Sequence, residues 1–172
     1  MKLVLLGYMA SGKTTIGKIL AKKLQIPFID LDNYISEKEN LSIPEIFKIK
    51  GEVYFRKKET QFLIELLKKD AEFILALGGG TPCYGNNMGI INKYANSFYL
   101  KSSLQNTYNL LSKEENKKVR PLISEIPNEN LKEFIAKHLF ERNQFYEQAT
   151  DTILIDKKSM EDIADEIVLR VK

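Results

Sequence analysis

The chain has 172 residues, 44% hydrophobic and 28% charged, with a formal net charge of +3. That length suits one domain with its own core, and the charge is too mild for the dense basic stripe of a nucleic-acid binder, though compatible with small anionic ligands. A single cysteine, Cys83, excludes an internal disulfide and a cysteine-rich metal site; with no signal-peptide pattern and no apolar run near the roughly 20 residues of a membrane helix, a cytoplasmic protein is expected.

In chain order, "KLVLL" (2–6) reads as a buried strand. Residues 12–24 read as a helix with Ile16, Ile19, Leu20 and Leu24 on one face. "PFIDLD" (27–32) reads as a short strand ending in acids, and Ser42 with Glu45 as a capping box that opens a helix. A longer helix is expected over about 52–69, and strands near 73–77, 96–100 and 152–155. Helices fall between them, with a last one over about 160–171. Such alternation predicts an α/β protein, a parallel sheet with helices on both faces. Residues 113–127 break the rhythm: they are charged, contain proline, and are long for a connection, which marks a functional or mobile loop.

"GYMASGKTT" (7–15) carries the G-x-x-x-x-G-K-[ST] pattern directly after a strand and before a helix. Its glycines let successive backbone N–H groups point at phosphate, and the following helix adds its positive end. Ala10, Ser11, Gly12, Lys13, Thr14 and Thr15 are therefore the candidate loop for a nucleoside triphosphate. Lys13 reaches the β and γ phosphates and the Thr14 hydroxyl ligates Mg²⁺ in such a loop.

Asp30 and Asp32 stand one residue apart at the expected end of the second strand, where alternation puts both on one face. A cation and a substrate hydroxyl would relieve their repulsion; the plainer reading is that Asp32 caps a helix. Only four of the 26 basic residues are arginines: Arg56, Arg120, Arg142 and Arg170. At about 100° per residue, Ile135, His138, Arg142, Phe145 and Ala149 share a face with Leu131. An arginine on an apolar face needs an anion, either an internal carboxylate or one brought by a ligand. His138, on the same face, reads as a packed core histidine. Arg56 is either a surface helix charge or a site residue, and Arg120 either a solvated loop residue or one that folds onto transferring phosphate. Cys83 reads as uninvolved.

Taken together, "GYMASGKTT", "DLD" (30–32), "GEVYFR" (51–56), "GGG" (78–80), "RPLI" (120–123) and "ERNQFYEQA" (141–149) resemble the shikimate kinases over nearly the whole chain. The Gly-Glu-x-x-Phe-Arg block with the triple glycine separates that family from gluconate and nucleoside monophosphate kinases. The resemblance implies transfer of the ATP γ-phosphate to the 3-hydroxyl of shikimate, on the route to chorismate and aromatic amino acids. It implies a P-loop kinase fold: three αβα layers, a five-stranded parallel sheet, and a single domain over 1–172. Within it the core is 1–31, 61–110 and 125–172, the substrate-binding segment 32–60 and the lid 111–124.

The same resemblance makes the nucleoside triphosphate of that loop ATP and assigns residues. Lys13, Asp32 and Arg120 are catalytic, and Arg120 comes down with the lid onto ATP. Asp32, Arg56, Gly79, Gly80 and Arg142 bind shikimate, the two arginines at its carboxylate. Mg²⁺ is the cofactor, bound directly by Thr14 and through water by Asp30. The implied partners are shikimate and ATP, with no nucleic acid and no membrane, and the chain is expected to be a monomer. The sequence departs from the family at two residues and matches it only weakly in the adenine-side loop near Asp156 to Ser159. Ala10 replaces a usual loop glycine, with a modest effect expected if its φ is negative, and Lys113 replaces an arginine that stacks on adenine.

Overall fold

A computed structural model describes residues 1–171. The first apolar run forms a strand, β1 (Lys2–Leu6), and both its faces are buried. Leu3 and Leu5 point to one side of the sheet, Val4 and Leu6 to the other. That two-sided burial is why the run is continuous rather than alternating.

Between β1 and β2 (Phe28–Asp30) lies α1 (Lys13–Leu24); after β2 come α2 (Leu31–Glu39), α3 (Ile43–Lys50) and α4 (Glu52–Lys68). β3 (Phe73–Ala76) leads through a 3₁₀ turn (Thr81–Cys83) to α5 (Asn87–Tyr94) and β4 (Asn96–Lys101). Next come α6 (Leu104–Leu111), α7 (Glu114–Lys118), α8 (Pro121–Ser124) and α9 (Asn128–Tyr146), then β5 (Asp151–Leu154) and α10 (Met160–Val171). The five strands are all parallel, in the order β2-β3-β1-β4-β5. This is the expected three-layer αβα sheet. One core cluster joins Leu3, Leu5, Ile74, Phe98 and Ile153 to α1 and α10 residues such as Ile16, Leu20 and Ile167. The other joins Val4, Leu6, Leu75 and Tyr99 to Leu63, Ile91 and Ile135 of α4, α5 and α9.

Three expectations are corrected. β2 stops at Asp30, not at residue 32, because the Asp30 carboxylate accepts the backbone N–H groups of Asp32 and Asn33 and caps α2. Asp32 is thus in the first turn of a helix, and strand alternation does not apply to it. The expected loop over 113–127 contains two short helices, α7 and α8; Pro121 opens the second, at a position where its missing N–H costs nothing. The buried stripe of α9 runs through Leu131, Ile135, Leu139 and Tyr146, and α9 ends before Ala149. His138, Arg142 and Phe145 therefore flank that stripe, half-buried. The capping box at Ser42 and Glu45 is present as expected.

The order β2-β3-β1 carries the site. It places the ends of β1 and β3 side by side, so that the loops following them share one crevice. α1 is held close against the edge strand: a Cβ at Gly17 would lie 2.3 Å from Phe28 Cε2. Gly17→Ala gains about 1 kcal/mol of helix propensity but must push the Phe28 ring aside, an overpacking that costs about 1–3 kcal/mol. A net loss of stability is expected in urea denaturation.

Candidate active site

The loop after β1 turns tightly. Gly12 takes φ 82°, and a Cβ there would come within 2.9 Å of Met160 Sδ. Ala10 has φ 62°, so the condition under which alanine was expected to replace glycine cheaply fails. The left-handed conformation costs a non-glycine residue about 1–2 kcal/mol. Lys13 begins α1 and bends back over the loop, its Nζ donating to Gly7 O and Tyr8 O (both 2.9 Å) and to Ser11 Oγ (3.2 Å). Burial lowers its pKa to about 8, against the opposing pull of Asp32 and Asp30. Ala10, Ser11, Gly12, Lys13, Thr14 and Thr15 line an open cavity of about 330 Å³ together with Leu110, Asn116 and Arg120. Arg120 is aimed by a bond from its guanidinium to the Asn116 carbonyl. Every residue expected at ATP thus lies around one cavity.

Beside it, Asp30 divides its carboxylate between two jobs. Oδ1 caps α2, while Oδ2 accepts from the Thr14 hydroxyl at 3.1 Å. Asp32 sits in the first turn of the helix that this cap starts. Burial, then Asp30 and Glu59, push its pKa up to about 6, with Lys13 and Arg56 pulling the other way. A hydroxyl beside carboxylates offers hard oxygen donors of the kind Mg²⁺ takes, and a cation there would offset the crowded charge. Among the described residues no group of three or more His, Cys, Asp or Glu side chains is arranged to hold a metal ion by itself.

The three glycines after β3 face the remaining site residues. None of Gly78, Gly79 and Gly80 has positive φ, so backbone conformation does not require glycine. Close approach does. A Cβ at Gly78 would meet Asp32 Oδ1 at 3.1 Å, one at Gly79 would meet Arg142 Nη1 at 3.2 Å, and one at Gly80 would meet Arg56 Nη2 at 2.5 Å. Gly79 also lies against Gly7 of the phosphate loop. Side chains from α2, α4 and α9 therefore converge on one short stretch of bare backbone. At Gly80 a side chain would have to displace the Arg56 guanidinium.

Arg56 is no surface charge. Its Nη1 donates to Glu59 Oε2 at 2.7 Å, and Glu52 lies 3.7 Å from Nε. Glu59 is 1% exposed, and its other oxygen accepts the Thr81 hydroxyl at 2.5 Å. This buried carboxylate was not anticipated from the sequence. The signal was available, because Phe55, Glu59, Phe62, Leu63 and Leu66 form one buried face of α4. Arg142 differs: among the described residues it makes no ion pair, whereas Arg56 and Arg170 each have two. Its guanidinium lies 5.9 Å from the Tyr8 ring centre and beside the Tyr146 hydroxyl, which donates to Gly79 O at 2.6 Å. His138 is half-buried, with Nδ1 2.9 Å from Tyr8 Oη. Cys83 follows the glycines in the 3₁₀ turn, and burial pushes its thiol up. Lys113 takes the N-cap position of α7 without a side-chain cap.

The shikimate kinase family model matches residues 9–172. The shikimate kinase of Flavobacterium psychrophilum is 48% identical over 96% of each chain. That of Azobacteroides pseudotrichonymphae is 38% identical over 99% of each. Among solved structures, the shikimate kinase of Bacteroides thetaiotaomicron superposes with a TM-score of 0.89 at 31% identity, covering 99% of this chain and 98% of the other. The Acinetobacter baumannii shikimate kinase in complex with shikimate gives 0.85 at 32%, covering 99% and 92%.

The electrostatics of Asp32 carry a testable sign. Its pKa is raised on folding, so the penalty for keeping it charged is complete above about pH 6 and disappears as it protonates on the way down to pH 4. Asp32→Asn is therefore expected to stabilise the free protein at pH 7 by about 1–2 kcal/mol after screening. The gain should shrink towards pH 4, as read by urea denaturation at both values.

Proposed function

The chain belongs to the shikimate kinase family, and on that premise we propose how its residues divide the transfer of the ATP γ-phosphate to the shikimate 3-hydroxyl. The observation that carries the reading is the convergence of Asp32, Arg56 and Arg142 on Gly78–Gly80, next to the phosphate-loop cavity.

ATP phosphates lie on the N–H groups of residues 10–15 and on the N-terminal end of α1. Lys13 leaves the carbonyls of Gly7 and Tyr8 and donates to the β and γ phosphates. Arg56 and Arg142 take the shikimate carboxylate in charge-assisted forks. Glu59 and Thr81 keep the Arg56 fork fixed from behind, while Arg142 has its charge free for the ligand. Backbone at Gly79 and Gly80 approaches the ring, since no Cβ intervenes. Asp32 orients the attacking hydroxyl and takes its proton; a pKa of about 6 leaves it ionised at neutral pH, yet a stronger base than an ordinary carboxylate. Arg120 stabilises charge on the transferring phosphoryl group.

Thr14 directly, and Asp30 through water, would hold Mg²⁺, which when bound supplies charge neutralisation at the phosphates. Segment 111–124, which includes α7 and α8, serves as the lid, segment 32–60 binds shikimate, and the rest of 1–172 forms the core. The chain acts in the cytoplasm as a monomer, without nucleic acid or membrane. Among the described residues no helix is long and apolar enough to cross a membrane.

ADP release tests the reading. Release with shikimate should far exceed that with gluconate or nucleoside monophosphates, and absence of shikimate-dependent turnover would overturn it. In the same assay Arg142→Lys should raise the KM for shikimate about tenfold although charge is kept, because the planar fork is lost.

A further inference from the structure

Tyr8 is the second residue of the phosphate loop, and its ring is almost fully buried, at 3% exposed. A buried phenol needs a partner for its hydroxyl. His138 Nδ1 is that partner, at 2.9 Å, with the two rings edge to face at 5.5 Å. His138 is packed in turn against Phe134, 5.3 Å between ring centres. One helical turn further along α9 comes Arg142, whose guanidinium lies on the Tyr8 ring. The Tyr8 backbone carbonyl meanwhile accepts from Lys13. Tyr8 therefore touches the nucleotide lysine with its backbone and the acceptor-side arginine with its side chain, and His138 is the polar contact that fixes its ring.

From this geometry we infer that His138 is a positioning residue for the acceptor site: it holds the Tyr8 hydroxyl and thereby the ring that supports Arg142. The inference rests on the shikimate kinase reading for its ligand. The charged groups that act on His138 are Arg142 and Glu141; burial and Arg142 outweigh Glu141 and keep the imidazole neutral. With its proton on Nε2, Nδ1 accepts from Tyr8 Oη. A histidine that merely filled space would not need this tautomer, nor act selectively on one substrate.

Steady-state kinetics of Tyr8→Phe, His138→Phe and the double variant test the inference. Tyr8→Phe keeps the ring under Arg142 and removes only the hydroxyl. Each single variant should raise the KM for shikimate about fivefold, as the loss of one net hydrogen bond would, and leave the KM for ATP unchanged. The double variant should be no worse than either single one. His138→Asn, whose amide oxygen falls near the place of Nδ1, should recover most of the loss. An unchanged KM for shikimate in both single variants, equal rises for both substrates, or single effects that multiply in the double variant would overturn the inference. A wild-type chain inactive on shikimate would overturn the functional reading instead. The tautomer can still be read then, because His138 is the only histidine: long-range ¹H–¹⁵N NMR should show an unprotonated Nδ1 at pH 7, and a protonated Nδ1 would contradict the positioning role.

Discussion

The arrangement depends on one steric constraint: side chains from three helices rest on backbone that carries no Cβ. Asp32, Arg142 and Arg56 each lie within 3.2 Å of where a Cβ would stand at Gly78, Gly79 and Gly80. Because β3 lies between β2 and β1, this bare stretch opens beside the phosphate loop. Side chains of α2 and α4, which follow β2, and of α9 all reach it. The parallel sheet thus supplies the place, and the glycines supply the room.

Electrostatics then separates the roles of groups that look alike in sequence. Arg56 is anchored to a buried acid that Thr81 also satisfies, a geometry that lets a buried charge pair hold without orphaned oxygens. Arg142 has no such acid and is shaped by aromatic neighbours instead. One arginine is paired within the protein; the other makes no ion pair among the described residues. Likewise Asp30 is committed to a helix cap and to Thr14, while Asp32 has its basicity raised by burial and by neighbouring carboxylates. The cost of crowding Asp32 is borne by the fold.

Much of this was legible in the sequence because its signals are local. The phosphate loop is a short pattern between a strand and a helix, and the sheet follows from strand–helix alternation. Arg142 could be placed by helical phase, although α9 is rotated enough to leave it flanking the buried stripe. Glu59 carried the same phase signal on α4 and was missed, because a glutamate after two lysines reads as part of a solvated face. Other features were illegible for tertiary reasons. That Asp30 rather than Asp32 caps α2 depends on where β2 leaves the sheet. The left-handed backbone at Ala10 is set by the curl of the whole loop around the Lys13 bonds. The two turns of helix in 113–127 are too short to show periodicity.

The central claim is that the glycines are required for the room they leave rather than for their flexibility. Calorimetric titration of Gly80→Ala tests it directly, since alanine fits the backbone there but its methyl would stand 2.5 Å from Arg56 Nη2. The account predicts that shikimate affinity falls about tenfold or more, about 1.4 kcal/mol per decade, while ATP affinity is retained. Shikimate binding as tight as in the wild type would contradict it.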